Sequence, residues 1–299
     1  MGRGMLLTPD PLFAESFAVS TKPYGFDHRS IRIEPIDVGR AIRYQAMMSK
    51  AIWRPAPGRK LAFLVHANIG IIGQVFLASP VINLGVRDAY LDLPKDAKAR
   101  GAALRSYCDL SVCVSAQPFG WHWNGGKLMA LLATTLGDYW LERYGDELLG
   151  VCTTSLWGRG SQYNRVYKFL GYTKGYGHQH ITDAEYQQML EWMRANNVPI
   201  PSCKFGEGSN PRMRRIAAYR KASGDKAVTL VHGQKRGVYY HAAVDPSRRG
   251  EVIERWHERW GAPRYERTKH QEPPYSDGLS SKDAAEPVPT TVDEPGRDE

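Results

Sequence analysis

The sequence predicts an α/β protein, a mixed central sheet with flanking helices that continues into a basic C-terminal α+β extension. Three observations carry this. The chain has 299 residues, 42% hydrophobic and 24% charged, which is enough apolar material for a sizeable core. Between residues 61 and 171 its pattern runs hairpin, strand, long helix, strand, short helix. From Lys204 to Lys269 sixteen basic residues stand against seven acidic ones, with aromatics interleaved.

The elements follow in order. Residues 1–36 have no clear period and carry turn formers at Thr8-Pro-Asp-Pro11 and Lys22-Pro-Tyr-Gly25, so an irregular lead-in is expected. This start has no continuous apolar core of a signal peptide, and no run approaches the roughly 18 apolar residues of a membrane span. A cytoplasmic protein with no membrane partner is the expectation. Leu61 to His66 and Ile71 to Ala78 are β-branched or aromatic runs around Asn68 and Gly70, which predicts a hairpin. Arg87-Asp88 opens a polar connection to about Tyr107, and Leu110 to Val114 reads as a short buried strand.

Gln117 to Gly126 is a predicted loop. Lys127 to Arg143 has apolar residues at 128, 131, 132, 136, 140 and 141, a helical spacing that Gly145 ends. Leu148 to Cys152 reads as a strand, and Gln162 to Leu170 as a short helix stopped by Gly171. Thr182 and Glu185 have capping-box spacing, so a helix is expected from there to about Asn196. Val228 to His232 and Val238 to Val244 flank a basic turn, a second hairpin candidate. Pro246 to Trp260 reads as a basic amphipathic helix stopped by Gly261 and Pro263. Residues 278–299, rich in Ser, Pro, Thr and acids, are expected to be a disordered acidic tail. The organisation predicted is therefore a lead-in (1–36), a catalytic domain (37–181), a basic helix and hairpin extension (182–277) and the tail (278–299).

Charge separates the body from the tail. From Glu272 onward eight acidic residues face Lys282 and Arg297, a net of −6, which leaves +15 on the rest of a chain whose total is +9. A folded part this basic points to a polyanionic partner, DNA first. Arg214, Arg215, Lys235 and Arg236 are its candidate phosphate contacts. Four irregularly spaced cysteines complete no zinc framework, and His122, His178 and His180 have no third ligand at suitable spacing, so no metal is expected.

Two junctions are able to hold chemistry. The loop ahead of the long helix presents Gly125, Gly126 and Lys127 at a helix N-terminus, where free amides favour an anion. The second is Cys152-Thr-Thr-Ser155 leaving a strand, followed by Trp157, Arg159, Tyr163, Asn164 and Tyr167. Asn164, Tyr167 and the Leu170-Gly-Tyr172 corner stand in an order that resembles the last block of GNAT acyltransferases. The resemblance implies a GNAT-like sheet, an acyl-CoA or other activated acyl donor bound near Gly125, Gly126, Lys127 and Asn164, and Tyr167 as a general acid. Packing of the short helix is the alternative role for Tyr167. The glycine-rich donor motif departs from the family: His122 and Lys127 stand where Arg or Gln and a small residue are usual.

A narrower resemblance covers residues 37–178, through Arg87-Asp88, the Leu110 to Val114 strand, Asp138 to Gly145, Gly160 to Tyr163 and Leu170 to Gly177. It is to a group that includes the phage Mom DNA-modification protein and the Druantia component DruA. DruA-like proteins tend to have an acidic residue leading out of the second strand, where this chain has Thr153-Thr-Ser155. The Mom likeness implies adenine modification in DNA that protects phage genomes from restriction. It would give Tyr167 and Tyr163 acid or base roles, Ser155 a hydrogen-bonding or substrate-orienting one, and Arg87 and Asp88 the task of orienting the base or supporting the site. An extruded base needs aromatic walls, for which Trp121, Trp123 and Trp157 are candidates, each with a core role as its alternative. The expected function is a Mom-like DNA transferase. The alternatives are a DruA-like DNA-binding component of anti-phage defence, or a GNAT acyltransferase with a non-DNA substrate.

Overall fold

The computed structural model describes residues 24–48, 58–178, 180–204 and 210–273. Most of residues 1–36 and the whole predicted tail lie outside them. The strands are β1 (Arg32–Ile36), β2 (Lys60–Ala67), β3 (Gly70–Ala78), β4 (Tyr107–Ser115), β5 (Gly150–Ser155), β6 (Lys168–Tyr172) and β7 (Gly237–Ala242). They form one sheet in the order β1-β2-β3-β4-β5-β7-β6. The pair β4 and β5 is parallel and the other neighbours are antiparallel. The mixed α/β fold read from the sequence is present.

The β2–β3 hairpin forms as predicted, with Gly70 at φ +107° where a side chain would be strained. The lead-in does not stay irregular to residue 36, because Arg32–Ile36 pairs with β2 as an outer strand. Pro35 lacks an amide donor, which an outer strand with a free side tolerates. Helix α1 (Val38–Met48) covers the adjacent sheet face, where buried Gln74 donates to the Ala41 carbonyl at 2.7 Å. The connection after Arg87 is helical, as α2 (Gly85–Tyr90) and α3 (Ala97–Ala103).

After β4 come α4 (Phe119–His122), α5 (Gly125–Ala133) and α6 (Gly137–Tyr144). The single helix predicted over Lys127 to Arg143 is therefore broken at Thr134-Thr-Leu136. Both threonine hydroxyls donate to carbonyls three residues back, at 2.7 and 2.8 Å, and compete with the helical amides. Arg249 adds a donor to the Thr135 carbonyl at 2.7 Å. Gly145 ends α6 in the left-handed conformation, as expected.

The short helix predicted over Gln162 to Leu170 is absent. That segment turns and then extends as β6, with a bulge between Phe169 and Gly171. Pairing with β7 outweighs the local helical spacing. Helix α7 (Asp183–Ala195) has the complete capping box of Thr182 and Glu185, and α8 (Pro211–Ser223) follows. The second predicted hairpin also fails: β7 inserts between β5 and β6, while Val231 bridges only Tyr176. The border expected at 181/182 thus crosses a single sheet. The last helix does not stop at Gly261. Helix α9 (Arg249–Trp256) passes through a π-turn (His257–Gly261) into α10 (Ala262–Thr268). Pro263 has no amide to donate, and the π-turn immediately before it is where the continuous helix takes up the irregularity. Trp256 and Ile253 join Leu128, Trp140, Phe63 and Tyr239 in the main core.

Candidate functional site

The β4–β5 junction, where the sequence centred its chemistry, is closed by its own side chains. The two strands pair only from Tyr107–Asp109 with Gly150–Cys152. Beyond that, Thr153 Oγ1 donates to the Leu110 carbonyl at 3.0 Å and Gln162 Nε2 to the Cys113 carbonyl at 2.9 Å. Lys127 Nζ donates to the carbonyls of Gln162 and Asn164 at 3.0 and 2.6 Å. Gln162 also covers the start of α5, where a Cβ on Gly126 would meet its side chain, and the Phe119 ring and Ser115 crowd Gly125 in the same way. These glycines serve packing. An activated acyl donor needs that gap and those amides, and with Gly125 and Gly126 packed over and Lys127 held on the Gln162 and Asn164 carbonyls, the residues present do not fit one.

The predicted acid and base groups are internal as well. Tyr167 is buried and its hydroxyl donates to the Ala130 carbonyl at 2.8 Å. Burial pushes its phenol well above the ordinary range, and Tyr163, packed 5.6 Å from the Tyr239 ring, is raised by burial too. Both phenols are thereby held protonated at neutral pH, which disfavours a base role. Ser155 is buried and its Oγ accepts from the Trp157 amide at 3.2 Å.

On the opposite sheet face lies a buried polar network. Arg87 is 0% exposed; its Nε and Nη2 donate to Asp88 Oδ1 at 2.9 and 2.6 Å, and Nη2 also to the Val81 carbonyl at 2.7 Å. Asp88 Oδ2 accepts from the Leu84 amide at 2.9 Å, which ties the residue before α2 back onto the helix. Asp109 Oδ2 accepts from the Val81 amide at 3.2 Å. Arg87 Nη1 and Asp109 Oδ1 are buried without a hydrogen-bond partner. Burial raises the Asp109 carboxyl to about 6, against the attraction of Arg87. Sequence reading missed Asp109, since one acid in an apolar strand gives no signal of its partners.

The exposed chemistry runs along β6 and the segment after it. Trp157 is 82% exposed, Tyr172 47% and Tyr176 58%. Arg159 lies over the Phe169 ring at 4.9 Å, and Phe169 meets Tyr172 edge-on at 5.1 Å. The Thr173 amide donates to the Arg236 carbonyl at 2.9 Å, which sets exposed Lys235 beside the strand end. Beyond it, Tyr176, Val231, Leu230 and Ile216 form a groove with Arg220 and Lys221. One edge of the sheet therefore carries alternating aromatic rings and cations.

Other predicted contacts sit elsewhere. Trp123 is a core residue stacked on Tyr265 at 4.2 Å, and Trp121 lies under Arg264 at 5.0 Å. Arg214 donates to the carbonyls of Ser202 and Lys204, and Arg215 to the Pro201 carbonyl and the Tyr186 hydroxyl, so both tie down the chain after α7. His180 Nε2 pairs with the Thr229 carbonyl at 2.8 Å, and its ring lies 5.4 Å from that of His232. His122 is buried against Thr268 at 3.2 Å. Cys108, Cys113 and Cys152 are buried free thiols, and burial pushes Cys113 up to about 12. No helix among the described residues is long and apolar enough to cross a membrane.

Comparison with known proteins bears on this geometry. The family model for Druantia protein DruA matches residues 43–249, from α1 through β7. The Druantia protein DruA of Escherichia coli (strain UMEA 4076-1) is 32% identical over 206 residues, 61% of this chain and 50% of that protein. The chain thus spans about half the length of this curated relative. A crystal structure of a GNAT family acetyltransferase from Elizabethkingia anophelis with acetyl-CoA bound aligns over 71% of this chain and 98% of its own. At 12% identity and a TM-score of 0.28, it carries no argument.

Proposed function

The chain belongs to the family of the Druantia protein DruA, and from that premise we propose that it is a DNA-binding component of an anti-phage defence system. The family match favours this reading, the alternative drawn from the sequence, over Mom-like adenine modification. It acts in the cytoplasm, where phage DNA is met. No acyl transfer is part of the proposal, because the donor residues do not fit.

The observation that carries the reading is the ring and cation edge along β6, with Trp157 standing 82% exposed at its head. Tryptophan left in water forgoes a large burial gain, which a surface made for stacking recovers on binding. Arg159, Lys235 and the Arg220–Lys221 groove supply the charge that tracks a phosphate backbone, while Trp157, Tyr172 and Tyr176 offer faces to unpaired bases. Cations on the phosphates displace counterions, so binding weakens steeply with salt.

The test is fluorescence anisotropy with labelled single- and double-stranded oligonucleotides over a salt series. Trp157→Ala is expected to weaken single-strand binding by about 1–3 kcal/mol, roughly 5- to 150-fold. Lys235→Ala is expected to lower the salt slope by about one. The proposal fails if the chain shows no salt-dependent affinity, or if both variants bind as the parent does.

A further inference from the structure

Away from the β6 edge, three metal-ligating side chains meet where the two ends of the described chain cross. His28 lies in the 3-10 turn His28–Ser30 that precedes β1, and its Nε2 stands 2.7 Å from Glu254 Oε2 on α9. His257, three residues further, opens the π-turn. Its ring stacks on that of His28 with centroids 3.9 Å apart and planes 13° from parallel. One ligand atom from each of the three residues lies within 4.8 Å of the others.

Glu254 and His257 share a helix face by their spacing of three. The π-turn between α9 and α10 is a local irregularity of the kind frequent at functional positions in helices. Two imidazoles and one carboxylate make the donor set that holds borderline divalent ions while leaving coordination positions free. Trp123, stacked over His257 at 5.9 Å, walls one side. The Glu254 side chain is 47% exposed on the other, which leaves an ion a path in.

We propose that His28, Glu254 and His257 form a mononuclear site for a zinc-class divalent cation, with at least one position open to solvent. The near-parallel rings carry their nitrogen lone pairs side by side, so coordination turns one imidazole about its Cβ–Cγ bond. His257 is the one that turns: among the described residues its ring contacts are aromatic, and no hydrogen bond pins it. The bound ion staples the turn before β1 to the C-terminal helix. Both lie outside residues 43–249, so the site is separate from the DruA-family segment and does not depend on DNA binding.

The full chain, freed of metal by chelation, is titrated with Zn2+ by calorimetry and with Co2+ by visible absorption. About one ion per chain is expected, with the intense Co2+ bands of a low-coordinate site. Glu254→Gln, His28→Gln and His257→Gln should each weaken binding at least tenfold. His180→Gln, beside His232, should leave it unchanged. Melting temperatures guard against misfolding: the metal-free Glu254→Gln protein should melt with the parent, and only the parent should rise with Zn2+. The proposal is overturned if the parent binds no tighter than millimolar, or if the three variants bind as well as it does.

Discussion

Asp109→Asn should stabilise this protein, and the gain should grow with pH. Asp109 stands on β4 opposite Cys152, with Oδ2 on the Val81 amide and Oδ1 buried and unpartnered. Burial raises its carboxyl from 3.8 to about 6, although Arg87 pulls the other way. Between those two pH values the folded protein holds this proton while the unfolded chain has lost it. The folded state then binds more protons, so stability falls as pH rises through the window. The total is at most about 3 kcal/mol, at roughly 1.4 kcal/mol for each tenfold change in proton affinity. Asparagine is neutral at every pH and keeps an oxygen for the Val81 amide. The difference between variant and parent should be near zero at about pH 3.5 and reach about 2–3 kcal/mol at about pH 7.5. Urea unfolding across that range measures it, and carboxylates common to both proteins cancel. A difference that stays flat, or a variant less stable than its parent at the higher pH, would refute the reasoning. Attraction to Arg87 would then outweigh the loss of hydration.

Two further sites probe the sheet and the side chains packed against it. Tyr167→Phe removes the hydroxyl that donates to the Ala130 carbonyl, and should cost about 1 kcal/mol in urea unfolding while leaving DNA affinity unchanged. Loss of function at full stability would restore the tyrosine to a chemical role. A Cβ at residue 150 would fall 2.7 Å from Tyr240 Oη and 2.9 Å from its Cζ, so Gly150→Ala should cost about 1–3 kcal/mol. Adding Tyr240→Leu should recover most of that in a double-mutant cycle, and additive costs would place the strain elsewhere.

What the sequence revealed depended on how local each cause was. The β2–β3 hairpin, the stop at Gly145 and the Thr182–Glu185 cap are set within a few residues, and each was legible. The strand identity of Lys168–Tyr172 was not, because it is decided by Tyr239 and its neighbours about 70 residues later. The break in the long helix was missed, because Thr134 and Thr135 fit a helical pattern until Arg249, over 110 residues later, adds its donors there. At the site, residue type was readable and exposure was not. Trp123 and Trp157 look alike in sequence, but one stacks in the core and the other stands in water. Arg214 and Arg215 count as charge in a composition, although they are hydrogen-bonded to the chain's own carbonyls and a hydroxyl.

The position of β7 has a consequence for how the molecule is made. Synthesis runs from the N-terminus, so β5 and β6 leave the ribosome some 65 residues or more before the strand that joins them. Until residues 237–242 emerge, β6 has no strand partner and one edge of β5 lies bare. Bare strand edges recruit other chains. A nascent or truncated product ending short of Gly237 is thus a half-zipped sheet that invites aggregation and chaperone capture. Arrival of β7 closes it, so the ring and cation edge comes into register only after residue 242 has been translated.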